Sequence, residues 1–116
     1  MANLKRNMIE LVKEVTADDE VITEKYLTPP FIPLSVVYEA MDLMEEAQKG
    51  ETPEREMFDR MLDFVANDIY GKKFTKDELI KGLHAPDAIE AINAQVLFVS
   101  QGQQSDATKK FLEKKL

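Results

Sequence analysis

The chain holds a single histidine, His84, and no cysteine. Metal binding or base catalysis through an imidazole would have to run through that one ring, completed by carboxylates alone. The lack of cysteine removes disulfides, thiolate zinc sites and sulfur nucleophiles. His84 stands two residues before Pro86, where a cap or surface position suits it better than a ligand role. No Ser-His-Asp, Cys-His or HExxH arrangement can be assembled. Paired carboxylates are the next candidates for proton transfer. Glu45 with Glu46, and Asp18 with Asp19, are sequence neighbours, so on a helix they point in different directions and in a turn they serve the turn. Phosphate chemistry lacks a cradle, because Gly50, Gly71, Gly82 and Gly102 are isolated and each suits a helix end or a tail. The expectation is a protein without catalytic, cofactor-binding or metal residues, and so not an enzyme.

Binding is what remains. Of six methionines, Met41, Met44, Met57 and Met61 fall in one predicted helical hairpin, and flexible thioethers repack around apolar partners of varied shape. With Val37 they are the candidate partner-binding residues; the competing reading is an ordinary core filled with methionine. A helical domain this small exposes apolar surface that a partner helix or self-association would cover. Grooves between helices accept amphipathic helices through anchors one and two turns apart.

The elements that would position those residues are marked by caps. A first helix is expected from Leu34 or Ser35 to Lys49, with Val37, Ala40, Met41, Met44 and Ala47 on its apolar face and Gly50 closing it. Thr52 as N-cap and Pro53 as first residue open a second helix, whose Glu54 and Glu56 suit the positive end of its dipole. The short link makes the two helices antiparallel neighbours. Met57, Phe58, Met61, Leu62, Val65 and Ile69 carry its apolar stripe, and Gly71 closes it. Thr75 with Glu78 is a capping box flanked by Phe74 and Leu79 as a hydrophobic staple. Pro86 then starts a helix striped by Ile89, Ile92, Val96 and Val99.

The first thirty residues read two ways. Ile9, Leu11 and Val15, then Val21, Ile22, Tyr26 and Leu27, flank the turn-prone TADDE and favour a β-hairpin. Leu4, Met8, Leu11, Val12 and Val15 also fit helical spacing. Pro29, Pro30 and Pro33 interrupt regular structure and suggest a hinge or arm. After Val99 the polar SQGQQSDATK predicts a flexible tail. The expected fold class is mainly α, a small bundle of about four helices with either an N-terminal β-hairpin or an extended arm and a flexible C-terminal tail. Its divisions are 1–33, hairpin or arm with a proline-rich hinge; 34–100, helical domain; and 101–116, tail.

At 116 residues, 44% hydrophobic and 32% charged, the chain fits one folded domain. Its net charge of −7 argues against nucleic-acid binding, which requires lysine and arginine to neutralise phosphates. Between Glu39 and Asp68, ten acidic residues face three basic ones. That stretch reads either as a solvated helical face or as a surface that attracts a basic partner. No run of 18 apolar residues suggests a membrane span. The start, MANLKRNMIELVKEV, is a poor signal peptide, so residence in the cytoplasm is expected.

One stretch points further. PPFIPLSVVYEAMDLMEEAQKG, followed by FVANDIYGKKFTKDELIKGL and the Pro-led IEAINAQVLFV, resembles the small tail assembly chaperones of long-tailed, siphovirus-type bacteriophages over residues 29 to 99. The resemblance rests on packing and capping patterns; the N-terminal portion departs from it. It implies a protein of the host cell cytoplasm that binds the long, aggregation-prone tape measure protein and keeps it soluble. Such a protein helps tail tube subunits polymerise around its client and is absent from the mature virion. Tape measure protein is thus the expected partner, with tail tube protein as a further one. Several members are also made in a longer, frameshifted form, and Lys109-Lys110 and Lys114-Lys115 suit adenine-rich slippery codons. The small core and the proline-rich arm add an expectation of homo-oligomers, closed or open. Two other classes compete: a structural adaptor retained in the tail or its connector, and an acidic nucleic-acid mimic that blocks a host protein.

Overall fold

The computed structural model describes residues 4–104 together with Thr108, Lys109 and Glu113. Two strands come first, β1 (Met8–Val15) and β2 (Val21–Leu27). Four α-helices follow among the described residues: α1 (Ser35–Lys49), α2 (Glu54–Asp63), α3 (Lys76–Gly82) and α4 (Ala85–Gln101). A π-helical segment, Phe64–Ile69, continues directly from α2.

The strands pair antiparallel from Met8 with Leu27 to Val15 with Val21, with an irregularity between Val12 and Glu14. Their turn is held by Thr16, whose carbonyl accepts from the Asp19 amide at 3.0 Å and whose hydroxyl accepts from the Glu20 amide at 3.1 Å. Asp19 takes the left-handed conformation, φ 62°, which aspartate tolerates better than most residues. The hairpin alternative for the first thirty residues is therefore the one adopted.

This hairpin corrects the expectation of a mainly α bundle. The architecture is mixed α and β, because the sheet is built into the core. Ile9 and Leu11 are buried in the same cluster as Val65, Leu79 and Ile92. Gly82 lets α3 lie against β1: a Cβ there would sit 3.0 Å from Leu11 Cβ and 3.2 Å from the Val12 carbonyl oxygen. β-Branched residues opposite one another favour the extended pairing, and burying one face of the sheet supplies the driving force a lone hairpin lacks. Tyr26 on β2 meets the Phe74 ring edge-on, centroids 5.0 Å apart.

The helix ends follow the sequence closely, with exceptions. Gly50 at φ 70° closes α1, and Gly71 at φ 59° follows the π-helical segment. Thr75 and Glu78 form the reciprocal capping box, each bond 3.1 Å, and Glu78 also accepts from Lys13 Nζ at 3.0 Å, tying the start of α3 to the hairpin. The second helix opens one residue later than expected, with Pro53 at the N-cap position. Thr52 caps nothing there; its hydroxyl donates to Glu46 at 3.0 Å. The end of that helix widens, with the Tyr70 amide reaching back five residues to the Val65 carbonyl at 3.0 Å. Phe64, Val65, Ala66 and Ile69 are all buried along it, more than a single α-helical stripe would turn inward.

A buried polar network joins the two ends of the described chain. The Gln95 side chain on α4 accepts from Asn7 Nδ2 at 3.0 Å and from the Tyr70 hydroxyl at 2.6 Å, and donates to the Met8 carbonyl at 3.0 Å. Thr108 is fully buried; its hydroxyl donates to Asn7 Oδ1 at 2.7 Å and accepts from the Met8 amide at 3.1 Å. At this residue the expected flexible tail is instead packed against the edge of β1, since a polar group removed from water needs such partners. The remaining expectation of flexibility, over residues 105–107, 110–112 and 114–116, lies outside the described residues.

Candidate partner-docking surface

Helix α1 packs on α4 and α2, through buried Val36 and Ala40 and partly buried Leu43 and Met44. A helix turns about 100° per residue, so Leu34, Tyr38 and Met41 form a second line on the opposite side. They are 66%, 62% and 53% exposed. Phe31, just before the helix, is also two-thirds exposed. It lines a cleft of about 240 Å³ with Leu4, Ile32, Val37, Phe98 and Val99. Isolated surface apolar residues need no explanation, but a contiguous group of large ones marks a binding surface.

One flank of this face is acidic. Glu39 and Asp42 on α1, with Asp63 and Asp68 across from them and Arg60 nearby, line a groove of about 380 Å³. The Asp68 carboxylate beside Glu39 pushes the Glu39 carboxyl above the ordinary carboxylate range, helped by partial desolvation and the charge of Asp42. Crowded like charges hold a proton longer because ionising both costs Coulomb energy. Asp63 is neutralised by Lys76 at 3.2 Å, and Arg60 pairs with Glu46 and Glu56.

The five sequence candidates do not converge on one groove. Val37 lies in the cleft below Phe31, and Met41 on the exposed face beside it. Met44 packs partly buried against the core. Met57 is buried, and with Met61 lines a separate cleft beside Ala47, Pro53, Phe58 and Asn93. The apolar face expected for the first helix is thus rotated: Met41 and Ala47 are exposed, and Val36 is buried. Phe31, Leu34 and Tyr38 were missed, although the spacing of residues 34, 38 and 41 is a helical stripe in its own right. Ile89 likewise leaves its expected core stripe; it is 66% exposed and lines a shallow cleft with Ile80, Phe58 and Leu83. The hairpin tip carries a third exposed group, Val15, Val21 and Ile22.

His84 is exposed and makes no side-chain cap bond at the start of α4. Among the described residues no group of three or more His, Asp or Glu is arranged to hold a metal ion, and no helix is long and apolar enough to cross a membrane.

A family model described as phage tail chaperone protein matches residues 3–116. No curated protein and no solved structure matches the chain.

Proposed function

We propose, because this chain belongs to the phage tail chaperone family, that this tail assembly chaperone takes the tape measure protein as its client. It holds that client soluble in the host cell cytoplasm, promotes assembly of tail tube protein around it, and leaves before the virion is mature. The work is binding rather than catalysis. The observation that carries this reading is the exposed apolar line Leu34, Tyr38 and Met41, bordered by Phe31 and the Val37 cleft. An amphipathic helix of the client lays its apolar side chains along that line, at anchors one and two turns apart. Both partners thereby remove oily surface from water at about 25 cal/mol per Å². The acidic flank keeps the complex soluble.

Co-expression tests the proposal. Tape measure protein should remain soluble and co-purify with the wild-type chain. A Leu34→Ser, Tyr38→Ser, Met41→Ser variant should lose it while folding normally, because each residue is more than half exposed. Tape measure protein that stays insoluble beside the wild-type chaperone would refute the client assignment. A stoichiometric amount of the protein in purified virions would refute its departure.

A further inference from the structure

A cleft of about 410 Å³ lies between the start of β1 and α4. Met8, Leu83, Ala91 and Ala94 give it an apolar lining, and Glu10, Asp87 and Glu90 stand exposed along it. Met8 and Gln95 mark one end, where the Gln95 amide donates to the Met8 carbonyl at 3.0 Å. The other end lies near α3, because Leu83 directly follows that helix and Gly82 approaches Leu11 and Val12. Alternation along β1 turns Met8 and Glu10 to the face opposite Ile9 and Leu11. Met8 is nevertheless buried, outside the main hydrophobic cluster. Among the described residues Glu10, Asp87 and Glu90 take no part in any ion pair.

The chain leads its own C-terminus to this cleft. Gly102 lies beside Lys5, and Gln104 donates to the Arg6 carbonyl at 2.8 Å. Thr108, fully buried, donates to Asn7 Oδ1 at 2.7 Å and accepts from the Met8 amide at 3.1 Å. Gly102, Gln104 and Thr108 thus step along β1 away from the Phe31 cleft, which Leu4 and Lys5 line, and toward Glu10. Thr108, Lys109 and Glu113 have helical backbone, and of these Lys109 and Glu113 are exposed. The segment they belong to is basic and apolar, with four lysines, Phe111, Leu112 and Leu116.

We propose that residues 110–116 dock in the cleft between β1 and α4 of their own molecule. Carried on at about 100° per residue, the turn through Thr108 and Lys109 puts Phe111 and Leu112 on the buried side of Thr108 and Lys115 one turn beyond Leu112. Phe111 and Leu112 cover Met8, Ala91 and Ala94, and Lys114 and Lys115 reach Glu10, Asp87 and Glu90. The lengths agree: Thr108 to Leu116 and Gln95 back to Asp87 are equally far apart in sequence, about 12 Å along a helix. Because the root is already pinned at the mouth of the cleft, docking closes a very short loop and costs little chain entropy. The docked segment takes a second apolar groove out of water and ties the last residues to the first strand. The inference stands whichever client the α1 face takes.

Disulfide trapping in the cysteine-free chain tests it. Leu112→Cys with Ala91→Cys should close under mild oxidant into a bridge within one chain, since docking brings the two Cα atoms within about 7 Å. Leu112→Cys with Met41→Cys, on the exposed face of α1, should stay reduced. Lys114→Glu with Lys115→Glu should lower the yield of the first bridge, and adding Asp87→Lys with Glu90→Lys should restore it, as opposed charges are re-established. In the otherwise unaltered chain, Phe111→Ser with Leu112→Ser should shift the amide resonances of Met8, Ala91 and Ala94 and leave those of Leu34, Tyr38 and Met41 in place. A bridge that forms only between two chains, preferential bridging to Met41→Cys, or no bridge in a protein with wild-type circular dichroism would overturn the proposal. So would serine substitutions that move the α1 resonances instead, or added lysines that fail to restore the yield.

Discussion

Replacing Gln95 by leucine breaks the buried polar network, and the size of the loss follows from the bonds the amide makes. Gln95 accepts from the Tyr70 hydroxyl at 2.6 Å and from Asn7 at 3.0 Å, and donates to the Met8 carbonyl at 3.0 Å. Leucine keeps similar bulk and withdraws all three partners at once. Tyr70 cannot compensate by ionising, because burial pushes its phenol far above the ordinary range. A buried polar group that loses its partner costs about 1 to 3 kcal/mol. The Thr108 bond to Asn7 Oδ1 is untouched, while the bond from Asn7 Nδ2 is lost together with those of Tyr70 and Met8. The expected destabilisation is about 3 kcal/mol, of a total stability that for a domain is about 5 to 15 kcal/mol. Urea unfolding followed by circular dichroism should show it as a lower midpoint at unchanged slope. The melting temperature should fall by about 12 °C at roughly 4 °C per kcal/mol. Tyr70→Phe removes the hydroxyl and leaves the Gln95 amide oxygen its bond from Asn7, so about 1 kcal/mol is expected. The double variant should cost less than the two summed, since Gln95→Leu has already stranded the hydroxyl. A Gln95→Leu loss below about 1 kcal/mol, or full additivity with Tyr70→Phe, would refute the claim that this network is a shared, dry structural element.

Other perturbations have defined outcomes. Thr75→Ala removes the side-chain oxygen that accepts from the Glu78 amide and should cost about 1 kcal/mol in urea unfolding. Gly82→Ala drives a methyl to 3.0 Å from Leu11 Cβ and 3.2 Å from the Val12 carbonyl; about 1 to 3 kcal/mol of destabilisation is expected, with chemical-shift changes concentrated in β1. Glu39, held above its ordinary range chiefly by Asp68, should titrate late in carboxyl-detected NMR. Because its folded value is raised, its contribution to stability is full below the unfolded value near 4.3 and is lost as pH rises through the folded value. Glu39→Gln should therefore help slightly at pH 7 and do nothing at pH 3.5, and a Glu39 titration at or below the ordinary value would contradict this.

The exposed face of α1 is legible in part. Of the residues the sequence singles out on this helix, Met41 is exposed and Val37 lines the adjoining cleft. Met44, Met57 and Met61 were grouped with them because methionines on neighbouring helices suggest one greasy groove. Yet α1 has apolar residues on two sides, and only contact with α2 and α4 decides which side is buried. Leu34, Tyr38 and Met41 lost that competition and became the exposed face. The same ambiguity misplaced Ile89, which matches the stripe of α4 by spacing but projects where no element covers it.

Local sequence determined the helix ends and turns of this protein. Gly50 and Gly71 in left-handed conformations, the Thr75–Glu78 box and the Asp19 turn each depend on atoms within about four residues of one another, so a short window contains the whole interaction. Tertiary structure alone decided that the hairpin joins the core, that the end of α2 widens, and that Asn7 meets Gln95 across 88 residues and Thr108 across 101. Those outcomes turn on which remote surfaces exclude water together, and burial of that kind is a property of the assembled elements rather than of any stretch read on its own.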